Sequence, residues 1–148
     1  MEIALIAQDS KKELMAQFCI AYCGILSKYA LCSTSITGKY ISDATGLVIE
    51  RLLPGADGGF QQIVSRIAYN EIDMVLYFRD TAIDTVDLKR DETEMELLRI
   101  CDKQNIPVAT NIATAEALIS AMDSGNFDWR EVMNPNSEYN RKKVGKKN

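Results

Sequence analysis

The chain's 148 residues, 47% hydrophobic and 26% charged, suffice for one domain that buries its own core without disulfides or metal. A net charge of −4 argues against a general nucleic-acid binder, which needs clustered Lys and Arg to displace counterions. The sequence contains no histidine, which excludes Ser-His-Asp and Cys-His mechanisms and a His-ligated zinc.

Met1 leads into Glu2-Ile3-Ala4-Leu5-Ile6-Ala7 without a basic leader, and no apolar run approaches the length of a membrane span. A cytoplasmic protein with no membrane partner is expected. Ile3 to Ala7 reads as a parallel strand buried on both faces. Asp9-Ser10 offers N-cap side chains, and Leu14, Met15, Phe18, Ile20, Ile25 and Leu26 predict one helix from about Lys11 to Tyr29. The cysteines Cys19, Cys23, Cys32 and Cys101 lie in apolar segments without a CxxC pair, as buried free thiols do.

Ala30 to Ser33 predicts the second strand, and Thr34-Ser35-Ile36-Thr37-Gly38 gathers hydroxyls and a glycine at its carboxyl end. Such a junction binds anions, although turn and capping chemistry uses the same residues. A short helix over Lys39 to Ala44 ends at Gly46, and Leu47 to Leu53 predicts a third strand. It runs into Pro54-Gly55-Ala56-Asp57-Gly58-Gly59-Phe60, a glycine-rich loop of the kind that sets N–H groups against a phosphate. Phe60, Ile63, Val64 and Ile67 then give a helical stripe over Phe60 to Tyr69, so Phe60 has a plain reading as core.

Ile72 to Phe78 is the clearest buried strand and ends at Arg79-Asp80, a carboxylate on the side where open α/β sheets bind ligands. Thr81 to Glu94 reads as an acidic, solvated loop. A helical pattern over Met95, Leu97, Leu98, Ile100 and Cys101 follows, then a strand over Ile106 to Thr110 and a helix over Glu116 to Met122. The alternation predicts a single doubly wound α/β domain, a mainly parallel sheet of about five strands flanked by helices. It covers residues 1–134, with a basic C-terminal tail over 135–148. Arg141-Lys142-Lys143 and Lys146-Lys147 make that tail either a solvated end or an arm reaching a neighbouring subunit or an anion.

Ile3-Ala4-Leu5-Ile6-Ala7-Gln8-Asp9, Thr34-Ser35-Ile36-Thr37-Gly38, Gly58-Gly59-Phe60-Gln61-Gln62, Asp73 to Asp80 and Asn105 to Ala115 follow one another as in methylglyoxal synthase, and the chain resembles that family up to about Ser124. The family removes a carbon-bound proton from dihydroxyacetone phosphate and eliminates phosphate from the enediolate to give methylglyoxal, without metal, nucleotide or other cofactor. The resemblance implies a methylglyoxal synthase-like fold and a phosphate cradle of Lys12, Thr34, Thr37, Gly38 and Gly55. Its partner would be phosphate or a small phosphorylated metabolite, and its assembly a homo-oligomer, a hexamer in the family.

The catalytic positions depart from the pattern. Phe60 replaces the aspartate base of the family's GGDQQ motif, Gln8 stands for a histidine, and Thr81 to Glu94 carries no counterpart of a second histidine. Ile36 and Pro54 replace hydroxyl residues of the cradle. Two expectations follow. In one, the chain is a non-catalytic or altered phosphometabolite-binding homologue, since a positioned base is worth about 10²–10⁴ in rate. In the other, it remains a methylglyoxal synthase that uses Asp57, Asp9 or Asp80 in place of the lost base. Asp57 as an ordinary turn residue is the plain alternative.

Overall fold

The computed structural model describes residues 1–80 and 88–145. Five parallel strands, β1 (Glu2–Ala7), β2 (Ala30–Ser33), β3 (Glu50–Arg51), β4 (Met74–Phe78) and β5 (Val108–Ala109), form one sheet in the order β3-β2-β1-β4-β5. The sheet is covered by α1 (Lys12–Ala21), α2 (Cys23–Leu26), α3 (Ser35–Thr45), α4 (Gly59–Ala68), α5 (Leu88–Gln104) and α6 (Ile112–Asp123). This is the expected doubly wound architecture.

Alternation along the strands divides the core between the two faces. Ile3, Leu5 and Ala7 pack with Met15, Phe18, Leu26, Ile119 and Met122 from α1, α2 and α6. Ala4 and Ile6 pack on the other face with Ile63, Val64 and Ile67 of α4 and Leu97 and Cys101 of α5. Cys19, Cys32 and Cys101 are buried free thiols, and Cys23 is half-buried. Burial pushes the thiols of Cys19 and Cys101 up to about 12.

Several boundaries differ from the sequence reading. The single helix over Lys11 to Tyr29 is broken at Tyr22, whose backbone (φ −108°, ψ 20°) leaves the helical basin before α2. A 3₁₀ turn, Asp9–Lys11, precedes α1. Helix α3 begins at Ser35 rather than Lys39, so Thr34 to Gly38 is a helix N-cap and first turn instead of a free loop. Gly46 ends α3 in the left-handed region (φ 74°), where glycine carries no Cβ penalty. The third strand shrinks to two exposed residues.

Helix α5 extends the pattern at Met95 back to Leu88, because the Lys, Arg and Glu of that stretch are good helix formers. Residues 81–87 of the expected acidic loop lie outside the described residues. Helix α6 begins at Ile112 rather than Glu116, because Asn111 caps it: the Asn111 side chain accepts from the Thr114 N–H at 3.0 Å. Such a cap contributes about 1 kcal/mol.

Beyond the sheet lie α7 (Asp128–Met133) and α8 (Glu138–Gly145), which periodicity did not announce. Arg130, 3% exposed, holds α7 down. Its guanidinium donates to the carbonyls of Gln104 (2.9 Å) and Asn105 (2.6 Å) and to Asn70 Oδ1 (3.1 Å), and it lies 3.6 Å from Asp73 Oδ1. The Asn134 amide adds a bond to the Asn70 carbonyl at 2.8 Å. The start of the tail is held as well, by the Asn136 amide donating to the Tyr69 carbonyl at 3.1 Å, while Arg141, Lys142 and Lys143 stay exposed on α8. Lys146 and Lys147 lie outside the described residues.

Candidate anion-binding site

The strand order places β2 and β3 on one side of β1, and β4 and β5 on the other. The winding thus reverses between β1 and β4, and the crevice at their carboxyl ends is where open α/β sheets take ligands. A cavity of about 280 Å³ opens there, lined by Gln8, Asp9, Lys12, Thr34, Thr37 and Gly55 among others. It adjoins a second of about 650 Å³, and the two share Asp9, Gly55, Ala56, Phe60 and Tyr77.

Each wall follows from local structure. Lys12 opens α1 with its ammonium folded back on the end of β1, donating to the Ala7 carbonyl at 3.2 Å and to Asp9 Oδ1 at 2.7 Å. Thr34 is the N-cap of α3, yet its hydroxyl makes no capping bond. Thr37, in the first turn, is buried, with its hydroxyl 3.5 Å from the Ala7 carbonyl. First-turn N–H groups have no intrahelical acceptor and carry the positive end of the helix dipole. An ammonium, two hydroxyls and a helix N-terminus thus converge on one cavity, a combination suited to a phosphate.

Gly55 starts the 3₁₀ turn Gly55–Asp57 and faces this group. The loop closes at Gly59, where a Cβ would stand 1.9 Å from the Leu53 carbonyl oxygen. Only glycine allows that approach.

Of the residues expected from sequence, Lys12, Thr34, Thr37, Gly55 and Asp9 are brought together. Gly38 is not among the residues lining either cavity. It is buried behind them, where a Cβ would meet Arg51 Cγ at 2.9 Å, so its smallness serves helix-to-strand packing. Asp57 is exposed and Asp80 half-buried, and neither lines these two cavities. Asp80 instead accepts from the Ser10 hydroxyl at 2.6 Å, and its N–H donates to Gln8 Oε1. Asp9 lines both cavities, but its hydrogen bond and charge pairing with Lys12 hold its carboxyl below the usual range, which weakens it as a proton acceptor.

Phe60 stands in the first turn of α4, half-buried, its ring edge-on to Tyr77 at 5.7 Å between centroids. It lines both cavities as well as packing on the Ile63 and Ile67 side of the core, so it is at once core and cavity wall.

Sequence reasoning missed the back of the site. The Tyr77 hydroxyl donates to Glu94 Oε1 at 2.6 Å, and Gln8 Nε2 lies 3.3 Å from each of them. Arg79 pairs with Glu94 Oε2 at 2.9 Å. Glu94 is 6% exposed, which corrects its placement in a solvated loop. Burial and the bond to Glu94 push the Tyr77 phenol up. One signal was available: Glu94 stands three and seven residues before Leu97 and Cys101, on the buried stripe of α5.

The fold and site define a methylglyoxal synthase-like domain. The family model described as MGS-like domain matches residues 15–110, and the chain belongs to that family. Among its relatives, a methylglyoxal synthase from Caldicellulosiruptor saccharolyticus is 55% identical over 142 residues, 95% of this chain and 98% of the relative. One from Clostridioides difficile is 46% identical over 139 residues, 93% of this chain and 98% of the relative. The crystal structure of methylglyoxal synthase from Elizabethkingia anophelis superposes with a TM-score of 0.71 at 34% identity, covering 80% of this chain and 76% of that one.

Proposed function

We propose that this protein binds the phosphate end of a small phosphorylated metabolite between Lys12, Thr34, Thr37 and Gly55, and that it lacks the base for ordinary methylglyoxal synthase turnover. The observation that carries this reading is the position of Phe60. Its ring lines the cavity beside the cradle and packs edge-on to Tyr77, where the resemblance puts an aspartate base. Phenylalanine accepts no proton, and the carboxylate that does line the cavity, Asp9, is paired with Lys12. The family resemblance extends the reading to a cytoplasmic hexamer, which light scattering would count.

Phe60→Asp tests it. Methylglyoxal release from dihydroxyacetone phosphate should rise at least about tenfold over wild type, the low end for a restored base when its histidine partners are still missing. No rise in a folded variant would refute the assignment of Phe60.

The 55% identity to a protein named methylglyoxal synthase favours a second reading, a functional synthase using Asp9, Asp57 or Asp80. That reading requires wild-type turnover that falls on substitution of one of these aspartates by Asn. Wild-type activity at background would exclude it for this substrate.

A further inference from the structure

Beside the anion cradle, Ile6, Ile36, Pro54, Ala56, Phe60 and Tyr77 line the same cavity. Ile36 and Pro54 carry no side-chain donor, and Phe60 presents only a ring. Outside the cradle, the polar side chains that line this cavity, Gln8 and Tyr77, are committed to neighbours. The Gln8 amide is engaged at both ends, its nitrogen towards Tyr77 and Glu94 and its oxygen by the Asp80 N–H. The Tyr77 hydroxyl is spent on Glu94, and Glu94 is further held by Arg79.

A ligand that brought hydroxyl groups onto this wall would lose their water without gaining partners, which is costly for buried polar groups. An apolar group there would instead remove the Phe60 and Ile36 side chains from water and pack on the Phe60–Tyr77 pair.

From this juxtaposition of an anion cradle with an apolar, aromatic wall we infer the ligand class: a phosphate monoester whose organic part is apolar or aromatic rather than polyhydroxylated. The inference rests on the phosphate cradle proposed above and adds the specificity of its far wall.

Calorimetric titration of the full chain with inorganic phosphate, glycerol 3-phosphate and phenyl phosphate tests it, the two esters having like charge. Phenyl phosphate should bind at least about tenfold more tightly than glycerol 3-phosphate. In Phe60→Ser the ratio between the two esters should fall towards one, a readout that general weakening of the site does not move. If phosphate and both esters bind equally, or if the ratio survives in a folded Phe60→Ser protein, the ligand class is wrong and the cradle stands. If none of the three binds, the cradle and the ligand class fall together.

Discussion

Replacing Lys12 by Met keeps the length and apolar stem of the side chain and removes its charge. The Lys12 side chain is 15% exposed, and its ammonium already donates to Ala7 and Asp9. Of its three hydrogens one is left for the cavity. A hydrogen bond to a charged group is worth about 1.5–3 kcal/mol, so the variant should bind inorganic phosphate about 10- to 150-fold more weakly. The loss should shrink as ionic strength rises, because the cavity is open enough for salt to screen it. Stability should hardly change, since Asp9 is fully exposed and such pairs contribute little. Isothermal calorimetry at two salt concentrations, with a thermal melt to verify folding, reads both effects. An affinity within about threefold of wild type in a folded Lys12→Met protein would show that no anion sits where the cavity places it.

Asp9→Asn removes a negative charge that lines the same cavity as Lys12 and is paired with it. The cradle account expects phosphate affinity to rise by up to about fivefold, the range of an exposed charge pair; a fall of that size would mean that Asp9 positions Lys12 rather than opposing the ligand. Gly59→Ala puts a methyl 1.9 Å from the Leu53 carbonyl oxygen. The backbone must move, and at about 1–3 kcal/mol for such overpacking the melting temperature should drop by roughly 2–12 °C. An unchanged melt would show the close approach to be dispensable.

The fold was legible because buried parallel strands announce themselves as short apolar runs, and Ile3 to Ala7 and Ile72 to Phe78 are such runs. Helix ends were less so. Thr34 to Gly38 carries both loop and capping chemistry, and only tertiary packing makes it the start of α3. That Lys12, Thr34, Thr37 and Gly55 share one cavity was legible through the family's motif order, whereas Gly38 of the same motif packs against Arg51 behind that cavity. The Gln8, Tyr77, Arg79 and Glu94 cluster was not legible, for it joins side chains as many as 86 positions apart. Glu94 sits in a run of charges that a single sequence reads as solvated. Arg130 was hidden likewise: nothing local marks one arginine as the residue that docks α7 on the sheet.

A chain that holds a phosphate ester but lacks the base should bind dihydroxyacetone phosphate without turning it over. The most direct measurement is a calorimetric titration of wild-type protein with dihydroxyacetone phosphate, with the same samples assayed for methylglyoxal. Binding heat with product at the buffer background is the predicted result. Methylglyoxal accumulating in proportion to enzyme concentration, at a rate unaffected by Phe60→Asp, would contradict it.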